Sequence, residues 1–344
     1  MPVIHHLRHL IAALALLALA APSASAQNDR VFPLNGNPIS GPIESMTKND
    51  VTIRTGGASQ KIPGNTIVKI MFAGDPPELT RGREFALDNQ FDKAVEELKK
   101  ADLTKIRRDV ITADLIFYRL LSEAKLSLIG QGDRAAAARN LLNFVQKHGD
   151  NWHFFDAARL LGDLAVAEGS YEGATKYYSA LGSAAAPELK IEAAYLAGLM
   201  DLRQAKPAEA LSSFDKVIGA RVNSPEAARL QRLSKAGRVA ALGLQGQTAP
   251  AIKESEALIA ELDATDTELA ARLYNARGAA FAKADQNEAA VRAYLHTHLM
   301  FSGTADAHVE SLKALVQLWP QVGKPDRANQ MRQVLQQTYP GWGG

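Results

Sequence analysis

Two apolar stripes separated by a polar break organise the stretch Ala271–Tyr294, which reads ARLYNARGAAFAKADQNEAAVRAY. The first stripe has apolar residues at i, i+7 and i+8, on one face of a helix: Tyr274, Phe281 and Ala282. Ala290 and Tyr294 follow at i and i+4 and mark the facing stripe of a second helix. The polar run 285–287 interrupts the periodicity between them. The pattern predicts two short antiparallel helices that pack face to face.

Small residues stand where these two helices meet. Gly278 has no side chain and Ala290 has only a methyl group, so the helix axes can approach to about 8 Å. A larger side chain at either position would push the helices apart. A single pair of helices cannot bury both of its faces, so the unit requires similar neighbours stacked on each side.

The small residue of the second helix recurs along the chain at intervals of 36 to 43 residues. Its seven positions are Ala94, Ala137, Ala174, Ala210, Ala251, Ala290 and Ala328. A glycine of the first helix accompanies four of them, at Gly82, Gly162, Gly198 and Gly278. The second and fifth units carry Lys125 and Val239 at that place instead. The chain from residue 79 to 338 is therefore predicted to be seven stacked helix pairs.

These residues and their spacing resemble the tetratricopeptide repeat, whose standard length is about 34 residues. The resemblance covers about Leu79 to Leu335 and implies a mainly α, right-handed superhelical solenoid of about seven helix pairs. The residues that should pack within the repeats are Gly82, Ala94, Gly162, Ala174, Gly198, Ala210, Gly278 and Ala290.

The same resemblance implies that the first helix of each pair lines a concave groove that receives a peptide or a partner helix. The groove positions, carried over residue by residue, are Arg159, Asp163, Tyr195, Leu199, Arg272 and Asn275. This mixed set departs from the lysine and asparagine clamp with which some members bind C-terminal carboxylates. A protein or peptide partner is expected, and its identity stays open.

The segment from residue 27 to 74 has a different pattern, with short alternating apolar runs between turn signals. Four or five strands are predicted, over Val31–Leu34, Ile39–Ser45, Val51–Arg54 and Thr66–Phe72. The expected inward residues are Ile43, Val51, Ile53, Ile62, Ile67 and Ile70. Their order resembles the small barrels of the Sm-like and SH3-like type. Residues 75–78 should form a linker into the helices, with Asp75 capping the first of them.

Charge and aromatic content decide what this β module could bind. Its basic residues are offset by acidic ones, and it has no aromatic platform on which bases could stack. The whole chain carries a net charge of only +2, so no field attracts a polyanion. Nucleic acid is therefore not the expected partner, and a docking or capping role is favoured.

The first 26 residues predict export. Basic Arg8 precedes an apolar run from Leu10 to Ala21, and the small residues Ala24-Ser25-Ala26 then form an A-x-A cleavage site before Gln27. The run is shorter than the roughly 20 residues that span a bilayer. We expect a cleaved bacterial signal peptide, a mature protein in the periplasm or secreted, and no stable membrane anchor.

The sequence offers no recognisable catalytic centre. It contains no cysteine, which excludes disulfides, thiolate metal ligands and a cysteine nucleophile. His296 and His298 are two residues apart on a helix and hence face different sides, so they do not form a metal site. Asp266 and Glu268 lack the ligand order of a calcium loop, and Asp266 is expected to cap a helix that begins near Thr267. No cofactor or metal is predicted.

The leading hypothesis is therefore a non-enzymatic periplasmic scaffold whose concave groove binds protein partners, with a role in envelope assembly or export. An alternative assigns ligand binding, to nucleic acid or a glycan, to the β module and gives the repeats a role in oligomerisation. The tail 339–344 cannot continue a helix and should fray or fold back over the last pair.

Overall fold

The computed structural model describes residues 28–263, 265–340 and 342. The predicted signal peptide lies outside the described residues. Two small antiparallel sheets come first, and α-helices make up nearly all of the remainder. None of the helices in the described ranges is both long and apolar enough to cross a membrane.

Six strands form the β region rather than four or five. They are β1 (Asp29–Pro33), β2 (Ile39–Gly41), β3 (Ile43–Met46), β4 (Asp50–Thr55), β5 (Ala58–Pro63) and β6 (Ile67–Met71). The additional strand arises because Pro42, which has no N–H to donate, divides the predicted run Ile39–Ser45 into β2 and β3.

The described strands do not form a closed barrel of the Sm-like or SH3-like type. The strands form two separate sheets, with orders β2-β1-β6 and β3-β4-β5, and no ladder joins them into a barrel within the described residues. They meet at Gly41, where an added Cβ would lie 1.8 Å from the carbonyl oxygen of Arg54. A short 3-10 turn, Gly64–Thr66, separates β5 from β6. Instead of closing on itself, the β region packs on the helices.

Most of the predicted inward residues are buried. Val51, Ile53, Ile62, Ile67 and Ile70 lie in the core, whereas Ile43 is half-buried. They belong to one hydrophobic cluster that continues into the first three helix pairs. The β region and the start of the array therefore share a core.

Fourteen α-helices follow in the part of the chain that the structure describes, arranged as seven consecutive pairs. They are α1 (Pro77–Leu87), α2 (Phe91–Leu98), α3 (Asp109–Leu128), α4 (Arg134–Lys147), α5 (Phe154–Ala167), α6 (Tyr171–Tyr178), α7 (Pro187–Arg203), α8 (Pro207–Ile218), α9 (Pro225–Leu244), α10 (Thr248–Ala260), α11 (Thr267–Lys283), α12 (Asn287–Met300), α13 (Ala305–Gln321) and α14 (Pro325–Thr338). The helix caps follow from local sequence: the Asp266 side chain accepts a hydrogen bond from the Leu269 N–H, as predicted.

The glycines of the first helices face the second helices closely. A Cβ added to any of the four would lie 2.2 to 2.7 Å from the side chain sixteen residues later. The pairs are Gly82 with Leu98, Gly162 with Tyr178, Gly198 with Phe214, and Gly278 with Tyr294. The matching alanines of the second helices are fully buried: Ala94, Ala174, Ala210 and Ala290. In the fifth pair Val239 is buried, and Gly237 faces Phe214 of the preceding pair.

Asp75 does not cap the first helix, contrary to expectation. Pro76 occupies the cap position, and the Asp75 carboxylate instead accepts a hydrogen bond of 2.9 Å from the guanidinium of Arg83. Arg83 is fully buried and also binds Asp114 at 2.8 Å, and Asp114 is bound to His153 Nε2 at 2.8 Å. This buried charge network joins the linker to the first three helix pairs.

The C-terminal tail contacts two helix pairs that are far apart in the sequence. Tyr339 packs against the last pair, as expected, and its hydroxyl lies 2.9 Å from His308 Nδ1. Beyond it, Trp342 Nε1 donates a 2.7 Å hydrogen bond to the carbonyl of Leu128, and Arg134 donates one to the carbonyl of Pro340. The tail thus bridges the seventh pair to the second.

The contacts of His308 predict a stability that falls with acid. Burial and the neighbouring His298 lower the pKa of His308 to about 4 from an ordinary value near 6.5, and His298, Asp306 and Tyr339 are the titratable groups that face this cluster. Between about pH 4 and pH 6.5, His308 is protonated in the unfolded chain and neutral in the folded protein. We expect the free energy of unfolding to drop by about 1 to 2 kcal/mol from pH 7 to pH 5. Urea titrations of the wild type and of His308→Gln measure this, and an equal pH slope in both proteins would contradict it.

Candidate partner-binding cavity

Three adjoining cavities of about 940, 390 and 220 Å³ lie on the concave side of the array. The first helices of pairs two to six line the largest, and residues around Leu34 and Thr66 of the β region complete its wall. Trp342 and the start of α13 line the second cavity. Lys125 and Asp163 border all three, so we treat them as one concave cavity.

Five of the six predicted groove residues line this cavity. They are Arg159, Asp163, Tyr195, Leu199 and Arg272. Asn275 does not belong to the lining, because its buried side chain donates a 2.8 Å hydrogen bond to the carbonyl of Ala307. Asn275 therefore joins α11 to α13 instead of facing a ligand.

A ladder of ion pairs crosses the cavity wall from one first helix to the next. The fork of Arg159 on α5 binds Glu192 on α7 at 2.6 and 2.8 Å. Arg229 on α9 pairs with Glu268 on α11. These contacts fix the relative position of neighbouring repeats on the side that faces the cavity.

The ladder continues to the seventh pair, where Arg272 on α11 binds Asp306 on α13 at 3.1 Å. Burial opposes ionisation of Asp306, but Arg272 and Arg203 outweigh it and lower the pKa of this carboxyl. Arg203 on α7 lies 3.7 Å from Asp306 and 3.0 Å from Glu310, so α7 also contacts α13. The superhelix therefore curves far enough for the fourth pair to bind the seventh.

Asp163 lies at the centre of the cavity. It accepts a 2.8 Å hydrogen bond from the hydroxyl of Tyr178, and Lys125 is 3.8 Å away. Burial raises the pKa of Asp163, and the two partners compensate only in part. This carboxyl is thus held by the same tyrosine that packs on Gly162.

Leucines and one tyrosine form much of the apolar wall of the largest cavity. The leucines that α7 and α9 contribute are Leu189, Leu196, Leu230 and Leu233. Tyr195 is 4% exposed, and its hydroxyl has no hydrogen-bond partner among the described residues. A buried hydroxyl without a partner is costly, so this group is available to a ligand.

Apart from Asp163, the acidic residues of this wall were not among the predicted groove positions. Each first helix of pairs three to seven has one acidic residue in its first turn that lines the cavity: Asp156, Glu188, Glu226, Glu268 and Asp306. We call these five residues the acidic rim. Their common position at a helix start was visible in the sequence, but an acid there also has a general explanation in the helix dipole.

The histidines are placed for packing. His296 stacks on Tyr274 with ring centroids 4.4 Å apart, and His298 Nδ1 lies 2.8 Å from His308 Nε2. No group of three or more histidine, aspartate or glutamate side chains within residues 28–263, 265–340 and 342 is arranged to hold a metal ion.

Comparison with solved structures gives the fold. A tetratricopeptide repeat protein from Parabacteroides merdae superposes with a TM-score of 0.54 at 18% identity, over 76% of this chain and 91% of that protein. The helical array has the tetratricopeptide-repeat fold. The mainly α architecture predicted from the sequence is therefore confirmed, with a small β region before it.

The TPR2AB domain of yeast Sti1, solved in complex with pHSP90, aligns with 76% of this chain over 96% of the Sti1 chain, at 16% identity. Its TM-score of 0.24 is too low to support an inference about the tetratricopeptide-repeat array. No protein-family model matches the chain, and no curated protein matches it.

Proposed function

We propose that this protein is a non-enzymatic scaffold that binds segments of partner proteins in its concave cavity. The observation that supports this most directly is the cavity itself, which runs along the first helices of five consecutive pairs and combines an apolar wall with charged residues. Stacked repeats use extended concave surfaces of this kind for binding. Protein interfaces likewise combine an apolar core with a polar rim.

We further propose that the scaffold works in the periplasm, in envelope assembly or export. The support is the sequence of the first 26 residues, with its basic start, apolar run and A-x-A site before Gln27. The balanced charge of the chain is consistent with a protein partner rather than a polyanion.

Site-specific photo-crosslinking in intact bacteria tests both proposals. A photoreactive phenylalanine replaces Lys125 in the cavity, Leu299 on the outer surface, or Lys61 on the β region, and the last two side chains are 70% exposed. We expect a protein adduct from position 125 and none from position 299. Mass spectrometry of the adduct, in the fraction released by osmotic shock, should show a chain beginning at Gln27.

The three positions separate the possible outcomes. Adducts from position 61 alone would transfer binding to the β region and support the alternative interpretation. Equal adducts from positions 125 and 299 would contradict a role for the cavity. An adduct from position 125 that stays in the cytoplasm, with residues 1–26 still attached, would contradict export and leave the scaffold proposal standing.

A further inference from the structure

The charges of the cavity wall differ in balance from those of the whole chain. Among the described residues that line the three cavities, four are basic and seven are acidic. The basic ones are Lys125, Arg159, Arg229 and Arg272, and the acidic ones are the acidic rim together with Asp163 and Glu192. The wall keeps its acidic excess even when Asp163, whose pKa is raised by burial, is neutral. Although the chain as a whole carries +2, the acidic excess of the wall favours cations in the cavity.

The arginines of the wall are already bound to carboxylates. Arg159 binds Glu192 and also Asp156, at 2.7 Å. Arg229 and Arg272 each bind two members of the acidic rim. An anionic ligand would have to break these pairs, because each guanidinium donates along a fixed fork. A cation can instead share the carboxylate oxygens.

One carboxylate of the acidic rim has no partner among the described residues. Glu188, in the first turn of α7, forms no ion pair or hydrogen bond with any described residue. Glu226 is the next rim residue on the wall of the largest cavity, and half of its side chain is exposed. Arg229 binds one oxygen of Glu226 at 3.1 Å, so a cationic ligand can share this exposed carboxylate and bind the unpaired Glu188 at the same cavity, beside the buried Leu189 and Leu230.

The buried hydroxyl of Tyr195 is a second and independent indication of a ligand. It borders the same cavity and has no partner within the described part of the chain. A peptide carbonyl accepts a hydrogen bond from a tyrosine hydroxyl. A lysine or arginine of the peptide can lay its aliphatic stem on the leucines and reach the rim with its charge.

On these grounds, and resting on the proposed function above, we infer that the occupant of the cavity is an extended polypeptide segment rich in lysine or arginine. The charge binds at Glu188 and Glu226, the stems of the basic side chains cover the apolar wall, and a backbone carbonyl receives the Tyr195 hydroxyl. The specificity of this array is therefore for cationic segments and against acidic ones.

Fluorescence anisotropy with purified mature protein tests the inference. The probes are two fluorescein-labelled decapeptides, one of alternating alanine and lysine and one of alternating alanine and glutamate. The lysine peptide should bind, and the glutamate peptide should not. Glu188→Gln combined with Glu226→Gln should weaken lysine-peptide binding about tenfold, because charge-assisted contacts are lost. Tyr195→Phe, which keeps the ring, should weaken it about threefold through loss of one hydrogen bond.

Glu172→Gln is the matched control, since Glu172 also lies in the first turn of a helix, α6, but is exposed outside the cavity lining. It should leave binding unchanged. Equal effects of the rim and control variants, or preferential binding of the glutamate peptide, would overturn the inference while position 125 still formed protein adducts. If the photoreactive residue at position 125 formed no protein adduct either, the proposed function itself would be rejected.

Discussion

Replacing Arg83 by methionine is expected to lower the free energy of unfolding by about 3 to 5 kcal/mol. Arg83 is fully buried between two carboxylates, and its removal leaves both Asp75 and Asp114 inside the protein without their cation. His153 alone would remain bound to Asp114, at 2.8 Å. Urea denaturation at pH 7, followed by circular dichroism, measures the loss.

The neighbouring Arg81 provides the control for this substitution. It lies on the same helix, and its side chain is 55% exposed in a pair with Glu97. Arg81→Met should cost at most about 1 kcal/mol, because exposed ion pairs contribute little. The double substitution Arg83→Met with Asp114→Leu should recover part of the loss, since it removes a buried charge along with its partner. A cost below about 1 kcal/mol for Arg83→Met would show that the network is dispensable.

The buried network of Asp75, Arg83 and Asp114 was not predictable from the sequence. Asp75 follows a glycine and precedes two prolines, a context that favours a helix cap. Its actual partner is Arg83, and the third member, Asp114, is 31 residues farther along the chain. Cap rules depend on neighbours within one turn, whereas this pairing depends on how the first two helix pairs stack.

The repeats themselves were predictable because their determinants are local. In four of the pairs a glycine meets the side chain sixteen residues later in the same unit, so the determinants of those pairs lie within one short stretch of sequence. The division of the strands into two sheets was not predictable from such local signals. Whether strands close into a barrel depends on which distant strands pair and not on their apolar pattern. Pro42 marked the division of one predicted strand into two, and that signal was in the sequence.

The cavity was predictable only in part. Positions such as Arg159 and Arg272 were predicted because the resemblance to tetratricopeptide repeats assigns them to the groove-lining side of a first helix, and both line the cavity. Asn275 shares that register and is nevertheless buried, because α13 covers it through the carbonyl of Ala307. Trp342 of the tail lines the second cavity and binds the carbonyl of Leu128, 214 residues away, and no periodicity in the sequence predicts a contact at that separation.

Gly162→Ala is expected to lower the free energy of unfolding by about 3 kcal/mol. The added Cβ would lie 2.2 Å from the ring of Tyr178, which is buried and cannot turn aside without releasing its hydrogen bond to Asp163. Alanine normally stabilises a helix interior by up to about 1 kcal/mol over glycine, so a loss here isolates the effect of the close packing. The Asp163 carboxyl borders the concave cavity, so the same variant should also weaken binding of the lysine decapeptide.

Gly243→Ala in α9 is the matched control, because its added Cβ would meet Ala280 at an ordinary contact distance of 3.4 Å. It should leave the midpoint of thermal unfolding unchanged or raise it slightly. Differential scanning calorimetry of both variants measures the contrast directly. Equal midpoints for Gly162→Ala and the wild type would mean that α5 and α6 separate without cost, and close approach at glycine would then not be what holds the repeats together. A lowered midpoint in the first variant alone would show that the close approach of a bare backbone to the ring of Tyr178 stabilises the third pair, and Gly198 with Phe214 and Gly278 with Tyr294 repeat that contact in two further pairs.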